Sequence, residues 1–120
     1  MKPEESLVMI LWHANPFRGD KFEDAWRAPS QAALDYGASS WAFFRSKDDP
    51  LDFIQLASFE TKLDFDRYWY SEEIAEARAE ASGLFQVPVL PMWLRAVDAG
   101  ELVADEAADD KSKTEATAPQ

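Results

Sequence analysis

The sequence predicts an α+β domain: a four-stranded antiparallel sheet carrying two helices on one face. Three observations predict it. Short runs rich in β-branched and aromatic residues alternate with longer stretches of helical spacing, in the order β-α-β-β-α-β. A cluster of Ser, Asp and Pro supplies turn chemistry between the second and third strands. All four strands are apolar on both sides, whereas a sheet with one wet face alternates apolar and polar.

Residues 7–13, Leu-Val-Met-Ile-Leu-Trp-His, form the first strand. Asn15-Pro16 ends it, because the residue before a proline is pushed out of the helical region. Asp20, followed three residues later by Glu23, reads as a helix N-cap with its reciprocal partner. Phe22, Trp26, Pro29, Ala33 and Tyr36 then recur at helical spacing and define one buried face. Pro29 is expected to kink or split this helix near Ala28, and Gly37 to close it. Residues 40–45 and 52–60 are the second and third strands, joined through Ser46-Lys47-Asp48-Asp49-Pro50. The second helix comes in two pieces, 63–70 and 71–82. Ser71 caps the second piece, with Glu72 and Glu73 on its positive end and Gly83 closing it. Residues 90–97 form the last strand, with Pro91 near its start, where a missing N–H is tolerated.

This order is that of the ferredoxin-like fold. Two helices cover only one face of such a sheet. Leu7, Met9 and Leu11 oppose Val8, Ile10 and Trp12 on the first strand, so either face of it is apolar. The uncovered face therefore needs a partner, and a homodimer through the sheet faces supplies one.

Composition excludes several classes. Among 120 residues there is no cysteine and one histidine, which removes disulfide scaffolds, thiolate metal sites and cysteine nucleophiles; no metal site is expected. With 23 acidic and 12 basic side chains the net charge is −11, which opposes binding to nucleic acid or anionic membrane. The longest apolar run, residues 7–12, falls far short of the ~18–20 residues of a membrane span. The acidic start, Met1-Lys2-Pro3-Glu4-Glu5, lacks a signal-peptide core, and a cytoplasmic location is expected. Glu72, Glu73, Glu76 and Glu80, with Arg78 among them, read as a solvated helix face. Every aromatic residue precedes Asp98, and residues 98–120 hold seven acidic and two basic side chains. The chain thus divides into a folded domain, 1–97, and an acidic tail, 98–120, with too little apolar surface to order.

A few residues carry candidate chemistry. His13 shares strand parity with Leu7, Met9 and Leu11, and Asn15 continues that parity if the strand persists. The two read either as a general base and an amide donor at a pocket mouth or as a strand-end histidine and a turn-capping asparagine. Helical geometry can bury at most two of Tyr68, Trp69 and Tyr70; Trp69 is either core or a flat wall for a planar ligand. Arg95 is a charge within an apolar strand, parity-matched to Trp93 and Val97, and requires a carboxylate or a polar ligand. Arg45 and Gln55 are weaker candidates of the same sort.

Three stretches resemble a known superfamily. Tyr36-Gly37-Ala38-Ser39-Ser40-Trp41 resembles its helix end and second-strand start. Asp48-Asp49-Pro50 followed by Phe53-Ile54-Gln55-Leu56 resembles its hairpin, and Tyr68-Trp69-Tyr70-Ser71-Glu72-Glu73 its broken second helix. The superfamily is that of the dimeric α/β barrels, in its antibiotic-biosynthesis-monooxygenase-like branch. The resemblance implies a dimeric barrel. For the cofactor-free oxygenases it implies a pocket between helices and sheet lined by Asn, Trp and Arg, here Asn15, Trp69 and Arg95. On that reading His13, Asn15 and Arg95 orient and polarise substrate oxygens, while Trp69, Tyr68 and Trp93 bind an aromatic or polyketide-like molecule without a cofactor. The haem-degrading branch uses a histidine on the second helix, where residues 63–82 contain none. Two functions follow: a cofactor-independent oxygenase or isomerase, or a non-catalytic dimeric module that binds a ligand or a protein.

Overall fold

The computed structural model describes residues 1–102. The acidic tail expected from residue 98 lies outside the described residues apart from 98–102. The elements are β1 (Ser6–His13), α1 (Gly19–Gln31), β2 (Ala38–Arg45), β3 (Asp52–Phe59), α2 (Lys62–Trp69), α3 (Glu72–Glu80) and β4 (Met92–Arg95), with a 3₁₀ turn, Ala32–Tyr36, after α1. All strand pairs are antiparallel in the order β2-β3-β1-β4, so the ferredoxin-like architecture stands, with the second helix in two pieces.

Local chemistry explains most boundaries. Thr61 and Ser71 cap α2 and α3, their hydroxyls accepting from the Asp64 and Ile74 amides. Gly37 (φ +101°) and Gly83 (φ +91°) take left-handed turns that a side chain would strain. In the β2–β3 hairpin Ser46 Oγ accepts from the amides of Asp48 and Asp49, and Asp49 accepts from Leu51. A register shift between Ala38 and Ser40 interrupts β2 near its start.

Three expectations need correction. Asp20 does not cap α1: the helix starts at Gly19, Arg18 precedes it without a side-chain cap, and Asp20 instead accepts from Arg45 Nη1 at 2.8 Å. That guanidinium also reaches Glu23 at 3.0 Å and the Pro50 carbonyl at 2.7 Å, so the acids tie α1 to the end of β2. Pro29 does not break α1 at Ala28, for the helix runs to Gln31 before tightening into the 3₁₀ turn. The last strand is shorter than residues 90–97, because Pro88 and Pro91 lack donors and keep the chain out of the ladder until Met92.

Strand parity sorts the core. Val8, Ile10 and Trp12 of β1 and Phe53, Gln55, Ala57 and Phe59 of β3 face the helices and are buried. Phe22 and Trp26 from α1, Phe65 and Tyr68 from α2 and Ile74 from α3 pack onto them. The amide of Gln55 lies within this layer. Gln55 Oε1 accepts from the indoles of Trp12 (3.0 Å) and Trp26 (2.9 Å), and its Nε2 donates to Tyr68 Oη at 2.9 Å. Tyr68 Oη in turn donates to the Pro29 carbonyl at 2.6 Å. Burial pushes the Tyr68 phenol well above its usual pKa, only partly opposed by the bond from Gln55. The other face carries Leu7, Met9 and Leu11 of β1, Phe44 of β2, Ile54 and Leu56 of β3, and Met92 and Leu94 of β4, with no helix above them among the described residues. Leu11 (52%) and Phe44 (49%) are half exposed.

Candidate functional site

After α3 the chain returns along the end of β1. Ala14 bridges to Phe85, the Asn15 amide donates to the Leu84 carbonyl at 2.9 Å, and the Gln86 amide donates to the His13 carbonyl at 2.8 Å. Asn15 Nδ2 donates to the Gly83 carbonyl at 2.7 Å, fixing the left-handed turn after α3. Together these bonds hold residues 82–89 against the helix end and leave an open cleft of about 400 Å³. Its walls include Trp69, Arg78, Ser82, Phe85, Val87 and Val89.

Arg78 is the charged side chain lining this cleft. It leaves the solvated face of α3 expected for it and folds back over Trp69, its guanidinium carbon 4.1 Å from the ring centroid. Nη1 donates to the Trp69 carbonyl at 2.8 Å. No carboxylate lies within ion-pair distance among the described residues, in contrast to Arg27, Arg45, Arg67 and Arg95. Burial pulls its pKa down, although a guanidinium still keeps its charge at neutral pH. A partly buried cation, held by a ring and a carbonyl and edged by apolar walls, is suited to an anionic oxygen on an apolar ligand.

The expected site residues are not brought into one place. Trp69 lines this cleft, and Asn15 reaches it only through its bond to the Gly83 carbonyl. Trp69 is nearly sealed, its ring between Arg78 and Phe65 (centroids 5.9 Å apart), so it supports Arg78 rather than offering a free stacking wall. Tyr68 is wholly buried in the Gln55 network. Arg95 lies opposite Ser6 at the far end of β1 and donates to Glu4 at 2.7 Å, which makes it half of a surface ion pair. Trp93 sits beside Val8 near the same sheet edge, partly exposed. The pocket expected between Trp69 and Arg95 does not form, because the Gln55 network and its aromatic neighbours fill the space between helices and sheet.

His13 stands elsewhere. The strand ends there, so Asn15 does not share its face, and the imidazole points to the open side of the sheet, where Nδ1 is hydrogen-bonded to Asp52. A second cavity of about 370 Å³ surrounds this pair. A third and larger cleft, about 670 Å³, runs between α1 and α3 along Glu72, Glu73, Glu76 and Glu80, the solvated acidic stripe read from the sequence. Among the described residues no group of three or more His, Asp and Glu side chains could hold a metal ion.

Sequence reasoning missed Arg78 and Asp52. Arg78 lies nine residues beyond Trp69 across a helix break, so no single helical period relates them. Asp52 was recoverable in principle: an antiparallel partner of β1 starting at 52 puts an acid opposite the strand-end histidine.

No known family's sequence profile matches the chain, and no curated protein matches it in sequence. Solved structures do match. SnoaB, a cofactor-independent oxygenase from Streptomyces nogalater, superposes with TM-score 0.67 at 11% identity, over 80% of this chain and 96% of its own. Rv0793 from Mycobacterium tuberculosis gives 0.67 at 16% identity, over 80% and 98%. An antibiotic biosynthesis monooxygenase gives 0.66 at 12%, over 80% and 99%. The chain thus has the ferredoxin-like α+β fold of antibiotic-biosynthesis-monooxygenase-like structures, as its motifs suggested. At these identities the likeness is one of fold.

Proposed function

We propose that this protein works as a homodimer joined through its open sheet faces and takes a planar aromatic anion into the Arg78 cleft, acting on it as a cofactor-independent oxygenase or isomerase. The observation that carries the reading is Arg78: a partly buried cation without a carboxylate partner among the described residues, at an apolar-walled cleft. The fold shared with a cofactor-independent oxygenase supports the reaction class. In such chemistry the substrate supplies its own electron density. The guanidinium stabilises a phenolate or enolate oxygen, and the electron-rich anion is the form that meets dioxygen or shifts its double bond. Trp69 holds the guanidinium in place, Asn15 holds the cleft wall through Gly83, and Phe85, Val87 and Val89 exclude water from the ring of the ligand.

A second reading, a dimeric binding module without chemistry, is favoured by the filled space between helices and sheet. One pair of measurements separates the two. 1-Hydroxy-2-naphthoate should bind the full-length protein, and Arg78→Met should weaken that binding at least tenfold while leaving the fold intact. Oxygen uptake or tautomerisation with hydroxylated polycycles such as dithranol should be lost in the same variant. Binding without any turnover selects the module, and binding indifferent to Arg78 overturns the site itself.

A further inference from the structure

We propose that the Arg78 cleft selects its anion by a fork: it takes a planar aromatic carboxylate, whose two oxygens sit on the Nε–Nη2 edge of the guanidinium. This rests on the reading of Arg78 as an anion anchor and adds the chemical class of the anion. A guanidinium has five N–H donors, and the bond to the Trp69 carbonyl (2.8 Å) uses one of them, on Nη1. The Trp69 ring covers one face of the group, its centroid 4.1 Å from the guanidinium carbon. Together the carbonyl at the end of α2 and the ring fix the plane of the guanidinium and leave its other edge free. Among the described residues neither Nε nor Nη2 has a hydrogen-bond partner, and no carboxylate lies within ion-pair distance.

The chemistry of that edge names the ligand. Nε–H and one N–H of Nη2 run parallel, at the spacing of the two oxygens of a carboxylate. A lone phenolate oxygen can accept from both only through bent, weaker bonds. The cleft, about 400 Å³, has room for a bicyclic ring. Phe85, Val87 and Val89 wall its apolar side, and Ser82 brings the one hydroxyl of the lining, so no second charged side chain there competes with Arg78 for the anion. No lining residue belongs to the open sheet face, so the proposed dimer leaves the cleft open. In a ring that carries a hydroxyl next to the carboxylate, the phenolate oxygen develops beside the bound fork, within reach of the same charge. Anchor and reacting oxygen are then neighbours on one ligand.

The test titrates the full chain with 2-naphthoate and with 4-nitro-1-naphtholate, at mildly alkaline pH. Both are then bicyclic monoanions, but the first offers two equivalent oxygens to the fork and the second a single ring oxygen. Wild type should bind 2-naphthoate about tenfold more tightly, or better. Arg78→Lys keeps the charge and loses the fork, so it should weaken 2-naphthoate until the two anions bind alike, with circular dichroism unchanged. In the wild type the NMR signal of Arg78 Nε–H should move downfield as 2-naphthoate is added. If Arg78→Lys does not fold, the wild-type preference and this signal decide instead. Equal affinity of wild type for the two anions, a preference that survives in Arg78→Lys, or an unmoved Nε–H signal overturns the carboxylate while leaving Arg78 as an anchor. Failure of both anions to bind, or binding of both unchanged in Arg78→Met, overturns the anchor itself and this proposal with it.

Discussion

Gln55 shows what a single buried amide can impose on a core. Its carbonyl oxygen serves two indoles and its nitrogen a phenol, so three aromatic side chains from three elements are oriented by one residue. Replacing it with leucine keeps the volume but strands the Trp12 and Trp26 N–H groups away from water. Buried donors left unpaired cost roughly 1–3 kcal/mol each. Gln55→Leu should therefore destabilise the fold by about 2–4 kcal/mol in urea unfolding; a neutral result would mean that the network does not hold as described. Tyr68 adds a pH signature. Burial raises its pKa in the folded state, so the folded chain binds this proton more tightly than the unfolded chain, whose tyrosine titrates near ~10. The resulting stability is fully present below that value and is lost as pH rises beyond it. Tyr68→Phe should be less stable than wild type at neutral pH, by ~1–2 kcal/mol, yet show a shallower decline between pH ~10 and ~11.5. Parallel alkaline slopes would show that this phenol is not shielded.

At the scale of elements, signals confined to a few neighbouring residues were readable and those spanning elements were not. Ser71 announces its cap because donor and acceptor lie three residues apart, and Ser71→Ala should cost about 1 kcal/mol, whereas Ser71→Asp should cost little; thermal melts of the two variants check this. Equal losses in both would mean that the hydroxyl does not cap α3. Gly37 and Gly83 were legible for the same reason, each closing its own turn. Asp20 looked like a cap by every local rule, but its partner is Arg45, 25 residues on, and a guanidinium able to take two acids outcompeted the backbone amide. The two-faced strands gave the sheet and its parity, hence the side on which His13 projects. They could not give the Arg78 cleft, since that depends on how residues 82–89 dock against the end of β1. Nor could they show that the space expected to hold a ligand is closed by Gln55, a residue that reads as merely polar in an apolar strand.

At the scale of the molecule, the proposed dimer rests on the open sheet face. Met9, between Leu56 and Met92, lies at its centre. An obligate interface of this apolar kind buries on the order of 2,000 Å² or more in total. Light scattering should therefore find a dimer at micromolar concentration, and Met9→Lys should yield insoluble or unfolded protein; a stable wild-type monomer would sink the sheet-to-sheet arrangement. The edges of the same sheet have their own consequence. β4 has only four residues and follows two prolines, and β2 is interrupted near Ser40, so neither rim offers a long, flat ladder to another chain. A strand added at a rim leaves a fresh rim behind it, and such growth has no natural end. A face that meets its copy about a twofold axis is consumed in the meeting. In the proposed dimer, blunt rims and a greasy face together would make two the number at which association stops, and that would protect an aromatic-rich, strongly β-forming sequence from polymerising.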